Sequence, residues 1–366
     1  MNSNLDLSAM VAGKELNPFA YNQDDYTDKS VMLNFISKNK GKPAHTINLQ
    51  ELSKNGIAIQ DPMNTYLSQK GYISSGNLKN ALKSPRSFWY DYQKVFVEKS
   101  KPHFELGTFA HMAFLEPELF STVVVAPDVN LVSKQGVLEA IDFYSQLNEV
   151  NVGCDERSNM ADLRRTLQNL KDDCTYQIVQ PEHMEVINAI NKNYYEYGNG
   201  IIKHLLKGGL GEVSFYGTDE QTGLNLRVRP DFLNIEENIG VNAIISMKTT
   251  RAEDLRKFAN DAVRLSYDLS EGMYQEVISN VTGRKFDTTI MLMLQTVEPY
   301  DVAVLWWQPD DLQLGKRKFR MALDTVKDCF DGGLFLGFEK EADNPDGIID
   351  FKLPEWGGID DFVEEF

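Results

Sequence analysis

Cysteine is scarce in this chain. Cys154, Cys174 and Cys329 are the only three in 366 residues, and no two form a C-x-x-C pair. That argues against a disulfide framework and against a cysteine-ligated zinc site, and makes a reducing compartment, the cytoplasm, the expected location. No run of about 18 apolar residues occurs, so no membrane-spanning helix is expected. The opening stretch, MNSNLDLSAMVAGKELN, has neither the basic start nor the continuous apolar core of a secretory signal. No internal repeat is evident. The single G-x-G, at Gly198 and Gly200, has no strand before it and is set aside as a phosphate-binding loop. No Ser-His-Asp arrangement can be read. An excess of basic charge is also missing: the net charge is -17, which speaks against nucleic acid as a partner of the whole surface.

The distribution of charge softens that objection. Residues 331–366 hold eleven Asp/Glu against two Lys, a net of -9, so the remaining chain is far closer to balance. Between Arg227 and Arg264 seven Lys/Arg face six Asp/Glu. A basic groove inside an acidic shell and a scattering of solvated charge both fit these numbers. Hydrophobic residues at 42% and charged residues at 25% describe an ordinary globular chain, long enough for one large α/β domain or two small ones.

Periodicity places the elements. Residues 1–60 are polar, Asn- and Lys-rich and weakly periodic, and are expected to be a partly ordered extension. Residues 74–92 read as a capped helix stopped at Pro85, followed by an aromatic second helix. In residues 105–116, Leu106, Phe109, Ala110, Ala113 and Phe114 repeat at helical spacing, and Pro117 ends the run. Residues 130–180 are polar and helix-prone, an expected insertion, and 182–207 read as one or two helices. Strands are expected at 210–216, 224–231 and 241–248 as a three-strand meander, then at 287–295 and 301–307. Helices are expected at 252–264, 267–280 and 310–330. The main domain is drawn as 61–335, with an acidic tail over 336–366.

Three strand residues could converge. Glu212 lies on the first strand, Asp231 ends the second and Lys248 ends the third. Two carboxylates can hold Mg²⁺, which prefers oxygen ligands, and a nearby lysine can orient water or offset charge on a phosphate in reaction. His111, at the edge of the apolar stripe of 105–116, could point toward them. From spacing alone each residue also has an ordinary reading, as a turn acid, a solvated lysine or a partly buried histidine. The basic cluster Lys316, Arg317, Lys318 and Arg320 fits either phosphate contact or one solvated helix face. Trp306 and Trp307 fit a core and its rim.

The segments GYISSGNLKNALKSPRSFWYDY, LGTFAHMAFLEPELF, GEVSFYGTDEQTGLNLRVRPDFLN, ISMKTT and YDLSEGMY stand in the order seen in exodeoxyribonuclease VIII-like proteins, and over roughly 62–335 the chain resembles that family. The resemblance implies a PD-(D/E)-x-K nuclease fold of the phage and prophage type: an α/β restriction-endonuclease-like core, a mixed central sheet flanked by helices, with helical additions. It implies metal-dependent processing of double-stranded DNA ends, 5′ to 3′, for recombination. The cofactor would be Mg²⁺ or Mn²⁺, the partner a single-strand annealing recombinase, and the assembly a homo-oligomeric ring. Carried over residue by residue, it makes His111, Glu212 and Asp231 metal ligands and Asp231, Glu212, Lys248 and position 246 the catalytic set. Arg227, Arg229, Thr249, Arg251, Tyr267 and Ser270 become candidate DNA-contacting residues.

Two departures stand out. The family writes Asp-x-Lys-Thr-Thr where this chain has Ser246-Met247-Lys248-Thr249-Thr250, so the second core carboxylate is missing. The family also places a glutamine three residues after the tyrosine of the following helix. Here Ser270 follows Tyr267, and Gln275 comes later. Three readings of Ser246 stay open: an introduced inactivating change, a DNA-binding or assembly protein that kept the fold without catalysis, or an acid supplied from elsewhere, with Glu253 and Asp254 nearest in sequence.

Overall fold

The structure is a computed structural model and describes residues 25–94 and 102–351. The first 24 residues of the expected extension, and the tail from residue 352 with its GGIDDFVEEF end, lie outside the described residues. The described residues open with α1 (Lys29–Lys38), β1 (Ile57–Ile59), α2 (Met63–Ser68), α3 (Ser75–Lys83), α4 (Pro85–Tyr92), α5 (Pro102–Leu115) and α6 (Pro117–Phe120). It continues through β2 (Val124–Val125), α7 (Lys134–Leu147), α8 (Met160–Asp172), β3 (Ile178–Val179), α9 (Pro181–Glu196) and α10 (Ile201–Leu206). Then come β4 (Leu210–Gly211), β5 (Ser214–Thr218), β6 (Asn225–Val228), β7 (Phe232–Asn234), α11 (Glu236–Ile239) and β8 (Ala243–Thr250). The last elements that matter here are α12 (Leu255–Arg264), α13 (Tyr267–Thr282), β9 (Thr288–Gln295), β10 (Val302–Trp306) and α14 (Pro309–Gly332).

The expected three-strand meander divides between two sheets. A five-stranded mixed sheet runs β10-β9-β8-β7-β4, with β8 and β9 parallel and the other pairs antiparallel. A separate three-stranded antiparallel sheet runs β1-β5-β6. The first two strands read from the sequence, 210–216 and 224–231, each break at a residue that cannot continue a ladder. Pro230 has no N–H to donate, which separates β6 from β7. Glu212 has a left-handed backbone, φ 55°, which separates β4 from β5. The two breaks face each other: the Glu212 amide donates to the Asp231 carbonyl at 3.1 Å. The chain crosses from one sheet to the other twice at this seam.

Alternation along β8 gives the large sheet two different faces. Ala243, Ile245 and Met247 pack with Phe109, Ala110, Ile187, Ile190 and Leu205 from α5, α9 and α10. Ile244 packs on the other side with Leu269 and Met273 of α13 and Phe319 of α14. Ser246 and Lys248 share that second face. Helices thus cover the sheet on both sides, and burial of both faces explains why β8 and β9 read as nearly continuous apolar runs.

Local chemistry sets the helix ends. Ser74 and Asn77 form a reciprocal capping box on α3, while Ser84 caps α4 with Pro85 in its first turn. Helices α13 and α14 cross almost backbone to backbone: a Cβ on Gly315 would lie 1.9 Å from the Asp268 carbonyl oxygen, and one on Gly272 2.5 Å from the Lys316 amide nitrogen. Only glycine allows that approach. Part of the stretch expected as an extension is built into the fold, since β1 pairs with β5 and Met32, Leu52 and Ala58 are buried. Helices α7 and α8 pack around a small cluster of their own that includes Val137, Ile141, Leu163 and Leu167.

Candidate active site

The seam brings three ligand-bearing side chains together. His111 from α5, Glu212 from the β4–β5 break and Asp231 from the β6–β7 break each offer one ligand atom, all within 4.8 Å of one another. Asp231 is held by its neighbour strand: its Oδ2 accepts from the Met247 amide at 2.7 Å and from Lys248 Nζ at 3.1 Å. Its Oδ1 lies 3.7 Å from His111 Nδ1, longer than a hydrogen bond. Glu212 is held from the small sheet by Arg229, whose Nε donates to Glu212 Oε2 at 2.7 Å. Arg229 Nη1 in turn donates to the Asp61 carbonyl at 2.6 Å and to Ser214 Oγ at 3.0 Å, and pairs with the Asp61 carboxylate.

Charge here is balanced by pairs. Burial alone would raise the Asp231 carboxyl, but the Lys248 ammonium, His111 and the Met247 N–H outweigh it, so Asp231 titrates below the usual range. Burial pulls Lys248 down, yet Asp231 and Glu271 outweigh that and hold it above the ordinary lysine value. Glu212 goes the other way: burial and the nearby Asp231 raise it despite Arg229. Two carboxylates and an imidazole make a donor set that fits a divalent cation. The gap between Asp231 Oδ1 and His111 shows that these donors are not already closed on each other.

A family model described as "PDDEXK-like domain of unknown function (DUF3799)" matches residues 74–335. The chain belongs to that family. The mixed sheet covered on both faces is its restriction-endonuclease-like core. No curated protein matches the chain. One solved structure, titled a "Putative exonuclease" from Eubacterium rectale, aligns at 15% identity over 84% of this chain and 100% of that one, with a TM-score of 0.44. That likeness is too distant to carry any argument.

Other residues singled out from the PDDEXK-like sequence are placed unevenly. Arg227 is not at the site: it is buried, donates to the Tyr66 and Gln69 carbonyls and lies over the Tyr66 ring. Arg227 and Arg229 both lie over the Tyr66 ring, but strand alternation does not carry on to Asp231, because β6 ends at Val228, before Pro230. Arg229 reaches the site but is nearly buried and engaged with Glu212 and Asp61, so it braces the seam rather than lining an open approach. Tyr267 is at the site, with Lys248 Nζ 5.8 Å and Lys79 Nζ 5.6 Å from its ring centre. Ser270 is buried on α13. Thr249 packs toward α5, 3.3 Å from where a Cβ on Gly107 would sit, and Arg251 is exposed. Gln275 bonds Thr289 on β9 at 3.1 Å. In the basic cluster, Lys318 pairs with Asp268, and Arg320 with Asp219 and Glu276.

Two residues of the site escaped the sequence reading. Lys79 on α3 brings a second ammonium, and burial beside Lys248 lowers it to about 8. Glu271 on α13 accepts a hydrogen bond from Ser246 Oγ at 2.7 Å. The neighbouring acids considered for position 246 lie elsewhere: Glu253 is exposed and paired with Lys257, and Asp254 caps α12. A signal for Glu271 did exist, an acid one turn after Tyr267 on a helix otherwise rich in apolar residues. For Lys79, on a half-polar helix, there was none.

Proposed function

We propose that this chain is a divalent-metal-dependent nuclease that hydrolyses phosphodiesters at the ends of double-stranded DNA. The observation that carries the reading is the convergence of His111, Glu212 and Asp231 within 4.8 Å, beside Lys248. When bound, Mg²⁺ or Mn²⁺ would supply Lewis acidity toward the scissile phosphate and favour a deprotonated water. Asp231, Glu212 and His111 would hold the ion. The Met247 N–H orients the Asp231 carboxylate, and Arg229 orients Glu212. Lys248 Nζ, kept as an ammonium by its acidic neighbours, offers fixed positive charge where a phosphate oxygen gains negative charge. Lys79 and the Tyr267 ring stand on the same side of the site as Lys248.

Likeness to exodeoxyribonuclease VIII supports a finer reading: 5′ to 3′ digestion that leaves a 3′ strand for an annealing recombinase, by a closed homo-oligomeric ring in the cytoplasm. A monomeric mass by light scattering at micromolar concentration would remove the ring from it.

The nuclease reading is tested with linear duplex labelled at either end, incubated with Mg²⁺, Mn²⁺ or EDTA, alongside covalently closed circles. Linear DNA should shorten in metal only, closed circles should survive, and Asp231→Asn should abolish the loss. If linear DNA survives both metals yet is retained in a salt-dependent way, the chain is a DNA-binding protein on a nuclease fold, the reading that Ser246 favours.

A further inference from the structure

The missing carboxylate of β8 has a counterpart across the fold. Ser246 is fully buried, two residues before Lys248 and on the same face of the strand. Its hydroxyl donates at 2.7 Å to Glu271 Oε1 on α13. Glu271 is 1% exposed, and among the described residues its other oxygen, Oε2, has no hydrogen-bond partner. A buried carboxylate with one oxygen unsatisfied is costly and calls for a partner. The cationic groups that act on it are those of the site, Lys248 and Lys79, and the nearby anion is Asp231, although the oxygens of Glu271 fall outside the 4.8 Å group of His111, Glu212 and Asp231. One helical turn earlier, Tyr267 takes the same two ammonium groups over its ring. The Gly272–Gly315 crossing packs α13 closely against α14 beside this residue.

Resting on the nuclease reading above, we infer that Glu271 supplies from α13 the metal-site carboxylate that β8 lacks, and that Ser246 holds it there through Oε1 while Oε2 is left for the ion. The acid has moved from strand to helix and the charge of the site is kept. Ser246 is then a positioning residue.

The experiment is Mn²⁺ titration of the full chain without DNA, by calorimetry or by electron paramagnetic resonance of free Mn²⁺, with duplex cleavage measured in parallel. The variants are Glu271→Gln, Ser246→Asp/Glu271→Gln and Glu253→Gln. Glu271→Gln should weaken Mn²⁺ binding by at least the roughly 10- to 100-fold that losing an outer-shell partner costs and suppress cleavage. Returning the acid to the strand in the double variant should recover most of both, and Glu253→Gln should match wild type. The double variant keeps the number of acids, so it decides the question even if Glu271→Gln folds poorly. Equal Mn²⁺ affinity in wild type and Glu271→Gln, or a double variant no better than the single one, overturns the inference. If that occurs while wild type cuts DNA in metal, the nuclease reading survives and only the role of Glu271 falls. If wild type neither binds Mn²⁺ nor cuts, both fall.

Discussion

Glu212 and Asp231 are joined through their backbones as well as through the site, since the Glu212 amide donates to the Asp231 carbonyl at 3.1 Å. Both residues sit where a strand leaves one sheet for the other. The left-handed backbone of Glu212 and the missing N–H of Pro230 are local faults in the ladders. They are tolerated because each fault turns a carboxylate toward its partner. Functional residues are often found at such conformational irregularities, and here the irregularity can be named.

Arg229 braces this seam. Its side chain is nearly buried and paired with Glu212 and Asp61. Arg229→Ala should destabilise the protein by about 3 kcal/mol, because it strands two partly buried carboxylates. Arg227→Ala should likewise lower stability, through the loss of its bonds to the Tyr66 and Gln69 carbonyls. Urea midpoints check both. The salt dependence of DNA binding in Arg227→Ala should match wild type; a slope flattened by about one ion would put Arg227 on the phosphates after all.

Much of the fold was legible because its signals are local. The capping box of α3 and the long apolar runs of β8 and β9 each follow from neighbouring residues, and so does the helix α5, although it buries Met112 and Leu115 as well as the expected stripe. The division into two sheets was not legible. Alternation continues in the sequence straight through Glu212, whose break shows only in its backbone, and Pro230 marks a break in the second strand without telling that the ladder changes partner there. For the site the contrast is the same. Asp231 and Lys248 stand in the segments that carry the family resemblance, whereas Glu271 meets Ser246 from a helix 25 positions further on, a distance no local pattern spans.

The α13–α14 crossing should be intolerant of any side chain. Gly315→Ala would place a methyl 1.9 Å from the Asp268 carbonyl oxygen, a backbone atom that cannot swing aside. A loss of about 2 kcal/mol is expected from such overpacking, together with weaker Mn²⁺ binding as α13 shifts. Gly332→Ala, which meets nothing within 4 Å, is the matched control. Equal melting temperatures for the two variants would show that the crossing has slack.

Burial, opposed by Lys248 and Ser246 and aided by Asp231, raises Glu271 to about 7. Lys79 also faces it and opposes the rise. The sign follows from proton counting. Between the ordinary value of 4.5 and about 7 the folded metal-free protein holds a proton here that the unfolded chain has released. The Glu271 contribution is therefore most favourable below pH 4.5 and falls as pH rises to about 7, then stays level. In EDTA, the stability difference between wild type and Glu271→Gln should shift against wild type across that window. A difference independent of pH from 4.5 to 7 would mean that Glu271 is ordinarily solvated.

The central claim is a divalent-metal centre at the seam of the two sheets. Its most direct measurement is anomalous diffraction from crystals of the full chain soaked in Mn²⁺, compared with Asp231→Asn soaked in the same way. The account predicts a peak within about 2.3 Å of an Asp231 carboxylate oxygen, with His111 or Glu212 among its other ligands, and no peak there in the variant. Mn²⁺ bound elsewhere on the chain, or a peak that survives Asp231→Asn unchanged, would contradict it.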